Sequence, residues 1–341
     1  MAPSLDWLSR LLAIVPVRGR LDTHCTYGAP WRIDQPGAEV GEMAYHVVLA
    51  GSAALEDPAG GPPLRLSAGD ILLLPHGEAH VLHDGGGTPA MPAHTRSGRN
   101  LRISENAGMG ERLDMLCGHF VLGRPQDRLL RDYLPSRLVV RTVDPAGTAA
   151  SGTREVLASL VLLMRQEAIT DTLGGQAMLD ALSTALFALT LRLASEGNAA
   201  PVGLLALVSN ARLAPALSAL LNEPDRPWTL PALARLCSMS RATAARRFQD
   251  ALGRSASELL ADIRMTLAAG ELRKPSAVTS AVAGTVGYQS EAAFQRAFKQ
   301  RMGMTPAQWR RLPQPIARRS ASTLLKGEVQ NVCCDRLSKH E

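Results

Sequence analysis

The sequence predicts an α+β fold in three parts: an N-terminal antiparallel β-sandwich or barrel, a central helix pair and a C-terminal all-α region. Short apolar runs bounded by Gly and Pro fill residues 1–140, and apolar residues at helical spacing fill 150–196. A pattern of helix, turn and helix occurs twice within 227–312. A chain of 341 residues exceeds what one compact core usually holds, so several domains are expected.

The N-terminal part contains the apolar runs EMAYHVVLAGSAALE, LRLSAGDILLLPHGEAHVL and ERLDMLCGHFVLG. Runs of this kind between turn-forming residues are typical of strands, and their close spacing indicates antiparallel pairing. The polar segment from His83 to Asn100 is rich in Gly and Pro, which predicts a mobile loop.

The central helix pair is interrupted at Gly174–Gly175. Its second helix is apolar on nearly every side, so it is expected to be buried, either in the core of one chain or in a dimer interface. Residues 197–226 are expected to form a linker with one further helix. Residues 313–341 lack periodicity, which predicts a disordered tail.

The last third of the chain is basic. Between Arg226 and Leu312 there are 14 Lys and Arg against 5 Asp and Glu, a net charge of +9, whereas residues 1–225 carry −5. A basic region on an otherwise acidic protein predicts a polyanionic partner.

The composition argues against several other classes of protein. No run of eighteen apolar residues occurs, so no membrane span is predicted, and the N-terminus lacks a signal cleavage site. A cytoplasmic location is therefore expected. The five cysteines are odd in number and scattered, which favours neither a disulfide framework nor a CxxC zinc site.

The spacing of the duplicated pattern is suited to two helix-turn-helix units that bind neighbouring segments of DNA. Ser240 and Ser290 are placed to cap the second helix of each copy, and they lie 50 residues apart. The helix between the copies, roughly 15 residues or about 23 Å long, could set the two second helices one DNA turn, about 34 Å, apart.

Each second helix separates into an inner and an outer face. Phe248 lies on the inner face of the first, and Phe294 and Phe298 lie on the inner face of the second. Short and cationic side chains on the outer faces suit the major groove. The outer residues predicted to meet DNA are Ala242, Thr243 and Arg246 in the first copy, and Ala292, Gln295, Arg296 and Lys299 in the second.

This region resembles the DNA-binding domain of the AraC/XylS family of bacterial transcription regulators. The resemblance covers about 85 residues and is carried by WTLPALARLCSMSRATAARRF, IRM and VGYQSEAAFQRAFKQRMGMTPAQWRR. It implies that Arg241, Ala245 and Glu291 also meet base edges. The chain departs from the family at the small Ala242 and Ala245, where larger side chains are frequent, and at Asp262–Ile263–Arg264, where a Trp-Arg pair is frequent.

The segment GDILLLPHGEAH resembles the second motif of the cupin barrel. Its spacing, G-x5-P-x-G-x2-H, is met by Gly69, Pro75, Gly77 and His80. A cupin-like β-barrel that receives a signal is therefore expected over 1–140. The first cupin motif normally supplies a His pair and a Glu, but here only His46 is in place. His46 and His80 are weak metal candidates, and neither a metal nor another cofactor is predicted.

Two cysteines are candidates for a redox or effector site. Cys25 is expected to precede the barrel strands and follows His24, and Cys117 stands two residues before His119. A neighbouring imidazolium would lower a thiol's pKa and favour its oxidation. The LCGHF segment resembles reactive-chlorine-responsive activators of the AraC family, in which thiols at these two positions are the proposed switch.

The alternative for Cys117 is a small buried hydrophobic residue. The other cysteines are predicted to be structural or incidental: Cys237, Cys333 and Cys334.

The sequence thus predicts a sequence-specific transcriptional regulator, an activator by resemblance, and not an enzyme. Its partners would be double-stranded promoter DNA and RNA polymerase, with homodimerisation left open. The rival from another class is a metal-dependent cupin enzyme fused to a DNA-binding domain, which requires a third ligand near His46 and His80. A passive DNA-binding adaptor without a signal is a third hypothesis.

Overall fold

Two facing β-sheets make up the N-terminal part of the protein. The computed structural model describes residues 5–123, 127–142, 152–170, 172–197 and 202–312. Within those ranges the strands are β1 (Val17–Gly28), β2 (Arg32–Gln35), β3 (Glu42–Ala50), β4 (Ser52–Leu55), β5 (Leu64–Ser67), β6 (Asp70–Leu74), β7 (His80–His83), β8 (Ala93–Ser97), β9 (Arg102–Asn106), β10 (Arg112–Leu122) and β11 (Leu138–Arg141).

The strands form a sandwich that stays open. One sheet has seven strands in the order β11-β6-β3-β10-β1-β9-β8, and the other has four in the order β2-β7-β4-β5. The pairs are antiparallel apart from β1 with β9. In the described ranges no ladder joins the two sheets, so the antiparallel strands predicted from the sequence form an open sandwich, and the expected cupin-like barrel is not closed.

Two predictions about this part are wrong. The segment from His83 to Asn100 contains β8, which pairs with β9 along its length. Every side chain of β8 is exposed, so its sequence carries no apolar alternation that could reveal it. Cys25 does not precede the strands but lies inside β1, between β10 and β9.

Helices occupy the rest of the described chain. They are α1 (Trp7–Ile14), α2 (Asp127–Tyr133), α3 (Gly152–Thr170), α4 (Gly175–Glu196), α5 (Leu204–Ser209), α6 (Ala214–Asn222), α7 (Leu230–Leu236), α8 (Arg241–Leu252), α9 (Ala256–Glu271), α10 (Thr279–Thr285), α11 (Glu291–Met302) and α12 (Pro306–Arg311). The predicted helix pair corresponds to α3 and α4, which pack against each other.

Helix α4 lies directly on strand β1. The backbone N–H of Gly19 donates to Thr184 Oγ1 at 2.9 Å, and a Cβ at Gly19 would lie 2.3 Å from the carbonyl carbon of Ser183. Burial is confined to one side of the helix, since Leu179 and Leu186 are buried whereas Ala185 is exposed. Full burial of α4, expected from its composition, is therefore not observed within one chain.

The same helix is long and apolar enough to cross a membrane by length and composition alone. Within its most apolar window, however, 44% is buried inside the protein. The core helix of a soluble protein passes this test equally well, and the buried apolar side chains of α4 belong to the large core of the protein.

The linker contains two helices where the sequence predicts one. Helices α5 and α6 are separated by a turn in which the Asn210 side-chain oxygen accepts from the N–H of Arg212 at 3.0 Å. Pro215 then stands in the first turn of α6, where its missing N–H costs nothing. The local hydrogen bond competes with helix continuation, which explains the break.

The basic C-terminal region is entirely helical in the described residues, as predicted. Phe248 of α8 belongs to the large core that also includes side chains of α1, α4, α5 and α6. Phe294 and Phe298 of α11 belong to a separate small core closed by Trp309. The first helical unit is therefore continuous with the rest of the protein, whereas the second packs mainly on itself and on α9.

Helix α2 contacts the helix that joins the two units. Tyr133 Oη donates to Asp262 Oδ2 at 2.6 Å, and Arg301 at the end of α11 donates to Asp262 Oδ1. Arg254 lies 3.7 Å from the same carboxylate. Asp262 thus joins α2, α9 and α11 at one point.

Candidate functional site

The two helical repeats turn in the same way. Helix α7 is followed by Ser238 at φ +50°, and α10 is followed by Gly287 at φ +82°. The next residue in each turn bonds back in the same manner: Met239 N–H donates to the Ala234 carbonyl and Tyr288 N–H to the Ala283 carbonyl, both at 2.9 Å. The duplication predicted from the sequence is therefore present in the backbone.

Helices α8 and α11 begin and end alike. Ser240 Oγ accepts from the N–H of Thr243, and Ser290 Oγ accepts from the N–H of Ala293, so both predicted N-caps are confirmed. Gly253 and Gly303 end the helices in the left-handed conformation. In both helices the fourth and eighth residues are buried.

The residues predicted to meet DNA lie on the opposite, outer faces. Nine of the ten are exposed and Thr243 is half-buried: Arg241, Ala242, Thr243, Ala245, Arg246, Glu291, Ala292, Gln295, Arg296 and Lys299. Three of their polar side chains have partners in the same helix or at its N-cap. Ser240 Oγ donates to the Thr243 hydroxyl at 2.9 Å, and Gln295 Nε2 donates to Glu291 Oε1 at 2.8 Å.

The helix between the repeats is rigidly held. Helix α9 has 16 residues, or about 24 Å of rise, and begins with a capping box formed by Ser255 and Glu258. Arg264 stands where the sequence departs from the family pattern, and its guanidinium donates to the carbonyls of Pro224 and Arg226 at 2.6 and 2.9 Å. These bonds attach α9 to the segment that precedes the first repeat.

A second site lies between the sheets, where Cys25 and Cys117 meet. Their Sγ atoms are 3.7 Å apart, and both cysteines are free thiols. Cys117 stands opposite Thr23 in the ladder between β1 and β10, so Cys25 is its diagonal neighbour on the same face. The sequence predicts both residues but gives no sign that they are in contact.

The pKa values of the two thiols are shifted in opposite directions. The Cys117 thiol can donate to Cys25, which lowers the pKa of Cys25 against the effect of burial. The same contact, together with burial, raises the pKa of Cys117 well above its ordinary value. Cys25 is therefore the group that holds the thiolate more readily.

The histidines that the sequence places beside the thiols face elsewhere. His24 Nε2 lies 2.6 Å from Asp114 Oδ1, because neighbours along a strand point to opposite sides. His119 Nδ1 lies 2.5 Å from Asp22 Oδ2, and this carboxylate raises the pKa of His119 although burial opposes it. The prediction that His24 and His119 activate the thiols is wrong.

The imidazole that does contact a thiol belongs to His46. Its Nδ1 lies 3.1 Å from Cys117 Sγ, and the two residues are direct partners in the ladder between β3 and β10. Its Nε2 lies 2.7 Å from His80 Nε2 on the facing sheet. The resemblance to the two cupin motifs identifies both histidines in the sequence, but it does not predict that His46 contacts the thiol.

This arrangement does not suit a metal ion. No group of three or more His, Cys, Asp or Glu side chains with metal-binding geometry occurs among the described residues. The two ring nitrogens of His46 point to different partners, so His46 and His80 form a hydrogen bond with each other where ligands would have to converge on one ion.

Acidification should weaken the sandwich through His46. Burial lowers the pKa of His46 to about 3, below the value near 6.5 of an unfolded histidine. Below pH 6.5 the unfolded chain therefore binds a proton that the folded chain does not, and stability is lost as the pH falls toward 3. Between pH 7 and pH 5 this one group should lower the free energy of unfolding by about 2 kcal/mol.

Hydrogen exchange of peptides from β3 measures this effect. His46→Asn should remove the pH dependence, whereas His83→Asn, a change at the other end of β7, should leave it in place. Equal pH dependence in His46→Asn and the wild type would contradict the assignment.

Together these features define a class of protein: a DNA-binding protein with tandem helix–turn–helix units attached to a β-sandwich that contains a thiol pair. Residues 6–196 match the Cupin family model, and residues 233–312 match the model of a helix-turn-helix domain. The chain belongs to the AraC-like transcriptional regulators that carry an N-terminal cupin domain.

Whole-length relatives agree with this assignment. An uncharacterized HTH-type transcriptional regulator of Haemophilus influenzae is 31% identical over 90% of this chain and 99% of its own length. The RCS-specific HTH-type transcriptional activator RclR of Escherichia coli is 26% identical over 92% of this chain and 100% of its own. A putative AraC-like transcription regulator of Streptomyces lividans is 29% identical over 91% and 99%.

Proposed function

We propose that this regulator is a cytoplasmic activator switched by oxidation of Cys25 and Cys117 with a reactive chlorine oxidant. Its partners would be promoter DNA and RNA polymerase, and it would not act as an enzyme. The observation that carries the proposal is the contact between the two thiols, whose Sγ atoms are 3.7 Å apart. A shift of less than 2 Å would bring them to the bond length of a disulfide, about 2.05 Å.

A thiol signal fits the sandwich better than a bound metabolite. Eleven other buried residues fill the space between the sheets around Cys25, including Tyr27, Trp31 and Met115. A ligand site is normally a preformed cleft, and a core filled in this way leaves little room for one. The name of the Escherichia coli relative, an RCS-specific activator, supports the same kind of signal for this chain.

The thiol pair is connected to the helices through one aromatic ring. Gly118 follows Cys117, and a Cβ at Gly118 would lie 2.6 Å from the Tyr45 hydroxyl, so the ring rests against the β10 backbone. Tyr45 Oη is 2.7 Å from Ser183 Oγ of α4. A shift of Cys117 would therefore displace Tyr45 and α4.

From α4 the displacement would reach the first recognition helix. Helix α4 packs against α5, and α5 packs against α8. The N–H of Gly203 donates to the Ala251 carbonyl at 2.6 Å, which joins the start of α5 to the end of α8. Because the core of the first repeat is continuous with these helices, we infer that oxidation changes the position of α8.

At the DNA, the outer faces of α8 and α11 would enter two major-groove segments on one side of the duplex. Arg246 and Arg296 are exposed cations that can pair with guanine or hold phosphate. Helix α9, about 24 Å long, would set the separation of the two readers.

Homodimerisation stays a prediction, and α3 offers the surface for it. The sequence leaves either this role or burial in the core open for the second helix of the pair, yet exposed apolar side chains concentrate on the first: Val156, Leu162, Leu163 and Ile169.

The switch is tested with single-cysteine variants. Hypochlorite should induce transcription from the target promoter in the wild type by about 5- to 150-fold, the usual range of allosteric coupling. Cys25→Ala and Cys117→Ala should each lose the response, because neither can form the intramolecular disulfide. Mass spectrometry of unreduced peptides should find Cys25 linked to Cys117 in the treated wild type.

The matched control replaces Cys333 and Cys334, which lie outside the described residues, and should respond like the wild type. Full induction in Cys25→Ala would exclude the proposed switch. Stoichiometric iron, manganese or zinc in purified protein would instead favour a metal-dependent cupin.

A further inference from the structure

We propose that His46 and His80 form a proton relay that carries the Cys117 thiol proton out of the sandwich when the pair is oxidised. His46 acts directly on Cys117, and His80 is a positioning residue that acts through His46. This inference rests on the proposed thiol switch and assigns a role to two residues that no metal or ligand explains.

The direction of the relay follows from a backbone carbonyl. His80 Nδ1 lies 3.1 Å from the carbonyl oxygen of Glu78, which can only accept, so Nδ1 carries a proton. In neutral His80 the Nε2 atom is then an acceptor, and His46 Nε2 must donate to it across 2.7 Å. Neutral His46 therefore has an unprotonated Nδ1, 3.1 Å from Cys117 Sγ, and can accept the thiol proton once Cys25 has been chlorinated and no longer holds it.

Cys117 itself is half-buried, but the side chains that contact its thiol are buried, which favours a route for the proton through them. Cys25 is 4% exposed and His46 is 3% exposed, and apolar side chains of both sheets surround them. His80 is half-buried and lies at the start of β7, which stands between β2 and β4 in the four-stranded sheet. His80 is the residue at the end of the relay that passes the proton to solvent.

The relay removes the one proton that the oxidation of the two thiols releases. The Cys25 thiolate takes chlorine from hypochlorous acid, which yields a sulfenyl chloride and hydroxide. Cys117 gives its proton to His46 Nδ1 while His46 Nε2 gives a proton to His80, and the Cys117 sulfur then displaces chloride to form the S–S bond. Overall, two thiols and one hypochlorous acid yield one disulfide, one water, one chloride and one proton, and His80 releases that proton to solvent.

The electrostatics of the site favour transfer through a neutral ring. Burial lowers the pKa of His46 to about 3, so the doubly protonated, charged ring is unfavourable. The ring can still gain a proton at Nδ1 as it loses one from Nε2. Burial also lowers the pKa of His80. The charged or titratable groups that act on the thiols from neighbouring strands are Asp22 and Tyr27 on β1, Arg102 on β9 and Asp114 on β10.

The experiment compares the full-length reduced wild type with His46→Asn and His80→Gln. An Asn side-chain oxygen can accept from Cys117 as Nδ1 does, but it cannot pass a proton on. His46→Asn should lower the rate of Cys25–Cys117 disulfide formation by N-chlorotaurine about 100-fold. His80→Gln should lower it about tenfold, because His46 still accepts the thiol proton.

A second readout needs no redox event. Alkylation of Cys117 by iodoacetamide in the reduced protein, followed by mass spectrometry, should slow by the same factors. In the variants the rate should also rise more steeply with pH between 6 and 8, since hydroxide must replace the relay. His83→Gln, a change on the same strand, should match the wild type in both assays.

The outcomes separate the relay from the switch. Unchanged rates in His46→Asn and His80→Gln, with a disulfide formed normally, would overturn the relay and leave the switch intact. Slower alkylation in both variants, with no disulfide in the oxidised wild type, would support the proton path and refute the switch.

Discussion

Phe298→Ala is expected to unfold the second helix–turn–helix unit and to abolish operator binding. Phe298 is fully buried, and its ring lies 5.6 Å from that of Phe294 and 6.3 Å from that of Trp309, centroid to centroid. Truncation of a buried Phe to Ala costs about 3–5 kcal/mol. The core around it is small and separate from the large core, so few other contacts can compensate.

Hydrogen exchange of peptides from α10 to α12 measures the loss. Protection should fall by roughly 10²- to 10³-fold there while the β-sheets keep theirs, because the cores are separate. Phe298→Leu, which retains most of the volume, should keep both protection and binding. Uniform loss of protection over the whole chain would show that the second unit is not an independent core.

The double variant Arg246→Ala/Arg296→Ala should show the largest loss of specific DNA affinity. Each arginine is exposed on the outer face of its recognition helix. If each reads a base, its removal costs about 1–3 kcal/mol, and distant sites add. The double change should therefore weaken operator binding by about 30- to 10⁴-fold.

Titrations on operator and scrambled DNA at several salt concentrations distinguish the possible roles. Base reading predicts a loss on the operator with little change on scrambled DNA, whereas two phosphate contacts predict equal losses and a salt slope smaller by about 2. Arg65→Ala, which removes an exposed charge from β5, should bind like the wild type. A double variant with full operator affinity would disprove the assigned reading face.

Local signals explain why the DNA-binding region could be predicted in detail. The caps at Ser240 and Ser290, the turn residue Gly287 and the buried stripe of Phe294 and Phe298 are all set within a few residues of the sequence. Helical periodicity records which face is buried, so the outer face follows by exclusion. Where two α-helices replaced one in the linker, a side-chain hydrogen bond from Asn210 decided the break.

The β-sandwich was predicted only in outline. Alternating apolar residues identify strands but not their partners. Strand β8 has every side chain exposed and lacks this alternation, so its sequence predicts a loop. The openness of the sheets depends on register between distant strands, which no short segment encodes. The same limit applies to α4, whose composition predicts burial but not the strand that covers it.

By itself, then, the sequence determined the class of regulator, the duplicated helical units and the residues on their outer faces, because neighbours along the chain specify these features. The tertiary structure alone decided the thiol site. Cys25, His46, His80 and Cys117 stand on four different strands, and strand register places Cys117 beside both Cys25 and His46. Packing of the two sheets then brings His80 to His46. Contacts between residues so far apart arise from long-range strand pairing, which local patterns of hydrophobicity do not specify.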